Sequence, residues 1–354
     1  MPIVVLQGLF GSDESESVAR EVEAFRLVGT ESSIQKFFLR EGSFDSAILG
    51  HEELQLTQGP LTVAALGWDP PERSTEFHLS LLSTFENNIS DQLPTPTDEE
   101  SQVLKQELQK LNTKAMTILF GEGLDHGLVW EKRVEFLTHT PQEAAQKGLK
   151  ECMPEGDFEN DLRRMIDDSI NILSEQEFNL RRADKGIKPI NLVWPWGQGE
   201  RQRVPNLALK MGYPWRIYSS SLAIRGLSRL SCLRAERLPF VDRLDLKKLT
   251  QSLKHELHSM AIIDLSSYAG EERLEEKAYK SDEIGKGLIQ PLLDWQRESK
   301  ESLVIVATNP SGDGVIANIQ SKPSERDDFP FDERAITERK VPELALSSLL
   351  TMLD

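Results

Sequence analysis

Short apolar runs rich in β-branched residues alternate along the chain with segments whose apolar residues recur at helical spacing. The runs occupy residues 3–6, 190–194, 215–218, 260–265 and 303–307, and each has the length and composition of a buried strand. One helical segment carries a single apolar stripe, formed by Leu162, Met165, Ile166, Ile170 and Leu173. Strands alternating with amphipathic helices predict an α/β fold with a doubly wound, mostly parallel sheet.

The alternation is interrupted after Gly67. Weak strand signals, a Pro/Thr-rich turn at residues 93–97 and an acidic helical segment follow. A chain of 354 residues is long enough for about two domains. We therefore expect a smaller α+β domain, residues 74–188, inserted into a core domain formed by residues 1–73 and 189–354.

Charge and cysteine content narrow the class of partner. With 58 acidic and 41 basic residues, the net charge is −17, so the surface repels phosphate backbones and anionic lipid. We expect no nucleic-acid partner and no membrane partner. Cys152 and Cys232 form neither a disulfide framework nor a CxxC pair, and the first residues lack a basic signal region. These features predict a cytoplasmic protein.

The most informative segment is residues 179–199, which read NLRRADKGIKPINLVWPWGQG. The pattern predicts a helix end with two arginines, a glycine turn, an apolar strand, and a Gly197-Gln198-Gly199 loop at the end of that strand. In open α/β sheets ligands bind beyond such strand ends, and glycine lets the backbone approach them closely. A plain tight turn is the alternative, because Gly-Gln-Gly is not a complete GxGxxG fingerprint.

This segment resembles the hallmark of the archaeal-type 2,3-bisphosphoglycerate-independent phosphoglycerate mutases and of their relatives proposed as homoserine kinases. In that family an Asn-x-x-Arg…Gly-Lys-x-Pro-x-Asn passage runs into Trp-Gly-Gln-Gly. Further similar elements follow the family's order: LGWDP at residues 66–70, KMGY at 210–213, AIRGLS at 223–228 and FDERA at 331–335. The resemblance implies an alkaline-phosphatase-like core with an inserted substrate domain. It also implies two Mn²⁺ or Mg²⁺ ions and a serine that carries the phosphoryl group.

Several residues that the resemblance implies are replaced. The family's metal-binding Asp-Gly corresponds to Gln7-Gly8, its nucleophile position falls on Gln58, and further ligand positions fall on Ser266 and Thr308. We expect these replaced positions to converge at the carboxyl edge of the sheet. A pair of divalent ions needs carboxylate or imidazole ligands. The interpretation is a pseudoenzyme without catalytic residues, metal or other cofactor, which has a non-catalytic binding or regulatory role.

Some substrate-binding capacity is expected to survive, on residues that match the family's elements: Asn179, Arg182, Gly197, Gln198, Gly199 and Arg225. Arg182 stands where the family has arginine, and Arg225 replaces a lysine. A guanidinium group binds phosphate oxygens through two parallel hydrogen bonds. The alternative for both arginines is an ion-pair or surface role. The expected partner is a phosphorylated small molecule or a protein.

Two other functions stay open on the sequence. One is an active mutase, which converts 3-phosphoglycerate to 2-phosphoglycerate, or a related phosphotransferase with a relocated metal site. The other is a structural subunit of a larger assembly. Thr57 or Thr62 would be the substitute nucleophile, although a threonine hydroxyl is weak without a metal or a basic partner. Asp125 and His126 would offer a relocated metal only two ligands.

Overall fold

The computed structural model describes residues 1–9, 23–31, 33–38, 48–51, 54–212, 214–238, 245–265, 281–309, 314–319, 331 and 343–345. The chain forms two compact units: unit 1 consists of Met1–Gln55 with Pro205–Asp354, and unit 2 consists of Leu56–Val204. The second unit is wider than the expected insert of residues 74–188. The helix that begins at Gln58 and the strand that contains Trp194 both pack on the sheet of unit 2.

The strands in the described residues are β1 (Ile3–Gln7), β2 (Ser33–Phe38), β3 (Thr75–Phe85), β4 (Asn88–Ser90), β5 (Met116–Glu122), β6 (Asp125–Trp130), β7 (Phe136–Leu137), β8 (Glu155–Gly156), β9 (Leu192–Gly199), β10 (Arg216–Ser219), β11 (Arg234–Arg237), β12 (Ser259–Asp264), β13 (Leu303–Thr308), β14 (Gly314–Ile319) and β15 (Glu343–Ala345). The α-helices are α1 (Glu23–Glu31), α2 (Gln58–Ala65), α3 (Asp98–Gln109), α4 (Pro141–Lys147), α5 (Glu159–Ser174), α6 (Glu177–Asp184), α7 (Leu207–Lys210), α8 (Leu222–Leu230), α9 (Leu246–His255) and α10 (Gln290–Ser299), the last preceded by a π-helical turn at Gly285–Ile289.

Unit 1 contains an eight-stranded sheet with the order β11-β10-β12-β1-β13-β14-β2-β15. Its pairings are parallel except for β14, which runs antiparallel to both neighbours. Alternate residues of β1, β12 and β13 are fully buried against α1, α9 and α10. The predicted α/β fold with a mostly parallel sheet is therefore confirmed, as are the strands predicted near residues 3–6, 215–218, 260–265 and 303–307.

Unit 2 contains an antiparallel sheet with the order β4-β3-β6-β5, in which β9 also pairs with β3. The prediction that residues 190–194 belong to the parallel sheet is wrong. Strand β9 runs antiparallel to β3, with Leu192 opposite Leu82 and Gly199 opposite Glu76. An apolar run indicates burial but does not specify its pairing partner. Here α2 and α5 both contact β9 and cover it.

Helix α5 carries the predicted apolar stripe. Leu162, Met165, Ile166 and Leu173 are all buried, and they pack in the apolar clusters of unit 2. Helix α3 lies nearby and begins with a capping box, in which Thr97 and Glu100 each accept a hydrogen bond from the other's backbone N–H. None of the helices in the described ranges has the length and apolar character needed to cross a membrane.

Candidate functional site

The carboxyl ends of β1 and β13 form the edge of unit 1 to which the resemblance assigns metal ligands. Gln7 and Thr308 end these adjacent parallel strands, so this pair converges as expected. The N–H of Gly8, at a φ of 74°, donates to Oγ1 of Thr308 over 2.9 Å. Thr308 is fully buried, so its hydroxyl is used within the protein. Ser266 lies outside the described residues, and Gln58 belongs to unit 2.

Gln7 and Thr308 offer an amide and a hydroxyl, both neutral, whereas β12, which pairs with β1 on its other side, ends at Asp264 opposite Gln7. One aspartate beside two neutral groups does not fit a pair of divalent cations, which need several carboxylate or imidazole ligands. Across the described ranges, no three His, Cys, Asp or Glu side chains lie close enough together to hold a metal ion.

The prediction of a loop at Gly197-Gln198-Gly199 is wrong, because these residues are the last three of β9, and this strand end packs on the start of α2. A Cβ atom on Gly199 would lie 2.1 Å from Oγ1 of Thr57, and a Cβ atom on Gly197 would lie 2.9 Å from Cβ of Gln58. Gly197 also has a φ of 59°, which favours glycine. Both glycines are therefore required for the end of β9 to approach α2. The glycines thus serve the packing of the fold, although they lie in a strand and not in the tight turn that the sequence offered as the alternative.

Gln198 fixes a neighbouring strand. Its side-chain oxygen accepts a hydrogen bond from the Thr138 hydroxyl, and its Nε2 donates to the backbone oxygen of Phe136. The Gln198 side chain therefore connects the end of β9 to β7, and both its polar atoms have protein partners.

Asn179 joins α5 to the start of β9. Its Nδ2 donates to the backbone oxygens of Leu173 and Ile190, and its Oδ1 accepts from the N–H of Ile190, all at 2.8 Å. The residue is 2% exposed. The Asn179 amide group thus supplies hydrogen bonds to both the N–H and the carbonyl oxygen of Ile190, just before β9 begins.

Arg182 makes a buried, bidentate ion pair with Glu100. Its Nε lies 2.8 Å from Oε1 and its Nη2 lies 2.9 Å from Oε2. The side chains are 5% and 14% exposed. The backbone oxygens of Lys188 and Pro94 accept longer contacts of 3.4 Å. The Arg182 hydrogen bond lowers the pKa of Glu100. The guanidinium therefore makes the ion pair that the sequence left as an alternative to phosphate binding.

Arg225 lies in α8 of unit 1, where it is buried. The other five substrate-binding candidates lie in unit 2. The six residues that the sequence grouped into one set are thus divided between the two units.

A hydrogen-bonded relay that the sequence did not predict connects α2 to β3 and β6. Oγ1 of Thr62 lies 2.7 Å from Nδ1 of His78, and Nε2 of His78 lies 3.0 Å from Oδ1 of Asp125. Because Nε2 donates to the carboxylate, Nδ1 of a neutral imidazole accepts from the hydroxyl. Trp196 packs against the His78 ring, with the centroids 4.9 Å apart. Thr62 therefore has the basic partner that the sequence did not reveal, but it is fully buried and inaccessible to a substrate.

His126 is a second buried imidazole of unit 2. Its Nδ1 accepts from the N–H of Gly121 at 3.0 Å, and burial lowers its pKa to about 4. Asp125 is bonded to His78. The two adjacent residues that the sequence considered as metal ligands thus have separate partners.

Glu76 is the other titratable group that the sequence did not identify. Its side chain is fully buried, and Nη2 of Arg201 lies 3.1 Å from its Oε2. Burial raises the pKa of Glu76 to about 7 although Arg201 lowers it, and Asp69 adds a smaller upward effect. The alternation of Glu76, His78 and Ser80 on one face of β3 was the available signal. It becomes informative only when α2 is known to cover that face.

Comparison with known proteins shows which proteins share this fold. No protein-family profile matches the sequence. The PH0037 protein of Pyrococcus horikoshii superposes with a TM-score of 0.71 at 13% identity, covering 99% of this chain and 95% of that one. The cofactor-independent phosphoglycerate mutase of Thermoplasma acidophilum superposes with a TM-score of 0.59 at 13% identity, covering 99% and 98%. The chain has the fold of cofactor-independent phosphoglycerate mutases.

Sequence similarity points to the same family. The 2,3-bisphosphoglycerate-independent phosphoglycerate mutase of Methanothrix thermoacetophila is 22% identical over 239 residues, which cover 67% of this chain. The match spans 60% of the length of that relative. The chain is therefore a phosphoglycerate-mutase-like protein, similar to the archaeal-type family in sequence and fold.

Proposed function

We propose that this phosphoglycerate-mutase-like protein acts by binding a phosphorylated small molecule and does not carry out two-metal phosphoryl transfer. The observation that carries the proposal is the edge of β1 and β13. There the Thr308 hydroxyl, in a position to which the resemblance assigns a metal ligand, is buried and accepts a hydrogen bond from Gly8. A two-metal centre stabilises the attacking and leaving oxygens of the transferred phosphoryl group. The neutral Gln7 and Thr308 hold such ions poorly, and the one aspartate that ends β12, Asp264, is too few ligands for two of them.

The start of α2 gives independent support. The resemblance assigns the nucleophile position to Gln58, and an amide cannot carry a phosphoryl group as a serine does. Thr57, the residue before it, is exposed and makes no side-chain hydrogen bond to the helix backbone. The N–H groups of Gln58 and Gly59 therefore have no cap from Thr57, while Pro60, the third residue of α2, has no N–H. Uncapped N–H groups at the start of a helix attract phosphate oxygens. A retained phosphate ligand without turnover is consistent with these features.

A cytoplasmic location forms part of the proposal. The two cysteines are free thiols, with Cys152 buried and Cys232 exposed. An exposed free thiol is typical of a reducing compartment.

The test uses the purified full chain. Metal content is measured by mass spectrometry after dialysis against Mn²⁺, and conversion of 3-phosphoglycerate to 2-phosphoglycerate is followed with added Mn²⁺. An active archaeal mutase serves as the positive control. We expect neither stoichiometric metal nor turnover, together with saturable binding of 3-phosphoglycerate in calorimetry. Bound metal with turnover would establish an active mutase instead. Absence of ligand binding, with a homologous protein co-purifying, would favour a subunit role.

A further inference from the structure

Glu76 is a buried carboxyl group in a confined position. It lies on β3, opposite Val129 of β6 and Gly199 of β9. Helix α2 approaches so closely that a Cβ on Gly59 would lie 2.2 Å from the backbone oxygen of Glu76. Its side chain has no solvent exposure. Water therefore reaches this carboxyl group only if one of the covering elements moves.

Arg201 covers the Glu76 carboxyl group from a segment that is neither helix nor strand. It belongs to residues 200–204, an irregular segment that follows β9 and that we name the Arg201 segment. Its Nη1 lies 2.9 Å from Oδ1 of Asp69, and its Nη2 donates to the Trp68 oxygen at 2.8 Å as well as to Glu76. Oε1 of Glu76 and Nε of Arg201 have no hydrogen-bond partner among the described residues. Glu76 and Arg201, which form one ion pair, thus each keep one buried polar atom without a hydrogen bond.

Few charged groups lie near Glu76. Helix α2 has no charged residue, and the neighbouring strands place Val129 and Gly199 beside it. Asp69, which shares the guanidinium, is the second carboxylate that acts on Glu76. Glu200 pairs with Arg133. His78, two residues along the same face, is bonded to Asp125 and Thr62.

We propose that Glu76 and Arg201 form a pH-sensitive latch, which holds the Arg201 segment on β3 while Glu76 is protonated and releases it when Glu76 ionises. A neutral carboxyl group tolerates burial with one hydrogen-bond donor. An ionised one requires further donors, and opening the segment supplies them as water to Oε1 and to Nε of Arg201.

The direction follows from proton linkage. In the closed state burial raises the pKa of Glu76 from 4.5 to about 7, whereas an opened, hydrated carboxyl group returns towards its ordinary value. The closed state thus binds the proton more tightly, and its advantage over the open state is lost as the pH rises from 4.5 to 7. Each pKa unit corresponds to about a tenfold change in the ratio of open to closed molecules. Above pH 7 the ratio becomes constant.

Hydrogen exchange of the intact chain, measured by mass spectrometry between pH 5 and 8.5, tests the latch. The informative peptides cover residues 73–80 and 196–204, and rates are corrected for the intrinsic pH dependence of amide exchange. We expect protection to fall by up to about tenfold per pH unit below pH 7 and then to become constant. In Glu76→Gln the protection should be independent of pH. In Glu200→Gln, the matched control in the adjacent ion pair, it should follow the wild type.

A second variant keeps the test decisive if Glu76→Gln folds poorly. Asp69 is fully exposed, and Asp69→Asn removes a negative charge near Glu76 and leaves Glu76 as the only carboxylate paired with Arg201. The midpoint of the protection change should then move to lower pH. Protection that does not vary with pH in the wild type would overturn the latch. So would a midpoint that Asp69→Asn leaves in place.

Discussion

The buried pair between Arg182 and Glu100 separates a structural from a ligand-binding role for this arginine. Arg182→Met keeps an apolar side chain about as long as the aliphatic part of arginine but removes the guanidinium group, so Glu100 is left without its bidentate partner. Removing one member of a buried ion pair costs about 3–5 kcal/mol, because the remaining charge is uncompensated. We place the expected loss in that range, since the Arg182 and Glu100 side chains are only 5% and 14% exposed.

Arg181 provides the matched control. It is the preceding residue of the same helix, is 47% exposed, and pairs with the exposed Glu99 and Glu177. Exposed pairs contribute about 0–1 kcal/mol, so Arg181→Met should lower the free energy of unfolding by less than about 1 kcal/mol. Urea unfolding at pH 7, followed by circular dichroism, measures both variants.

The same pair predicts a pH dependence. Arg182 lowers the pKa of Glu100 in the folded protein, so the contribution of the pair is fully present above the ordinary value of 4.5. It is lost as the pH falls through the lower, folded-state value. The difference between wild type and Arg182→Met should therefore shrink in acid, and the double variant with Glu100→Gln should recover part of the loss at pH 7.

One result would refute this reasoning. If Arg182→Met unfolded with nearly the wild-type free energy at pH 7 but no longer bound 3-phosphoglycerate, the guanidinium would be a ligand contact and the ion pair would be incidental. The phosphate-binding interpretation of Arg182 would then replace the structural one.

Three further predictions concern unit 2 and use the same unfolding measurement. Asn179→Ala removes three buried hydrogen bonds and should cost about 2–4 kcal/mol, whereas the exposed Asn171→Ala should change the free energy by less than about 0.5 kcal/mol. Gly59→Ala forces a Cβ against strand backbone and should cost more than about 3 kcal/mol, while Gly186→Ala, with open space but a φ of 69°, should cost about 1–2 kcal/mol. Because His126 has a folded pKa of about 4, stability should fall as the pH drops from 6.5 to 4. In His126→Asn this slope should be smaller by up to about 1.4 kcal/mol per pH unit, and an equal slope would contradict the assignment.

The sequence determined the core strands of unit 1 and the relation between two of their ends. Apolar runs of strand length specify burial, and parallel strands bring their carboxyl ends to one edge. Together with the family resemblance, which assigns both positions to one site, this rule predicted that Gln7 and Thr308 lie at the same edge of the sheet. The stripe on α5 was predictable for the same kind of reason, since helical spacing fixes which residues share a face.

Tertiary structure alone decided the pairing of β9 and the partners of the buried polar groups. The apolar run of β9 is equally compatible with a parallel or an antiparallel neighbour. In the structure it pairs antiparallel with β3 and is covered by α2 and α5. Arg182 meets a carboxylate 82 positions away, and Glu76 meets an arginine 125 positions away. No local pattern encodes such distances, because they are set by how whole elements pack. The burial that raises the pKa of Glu76 arises in the same way.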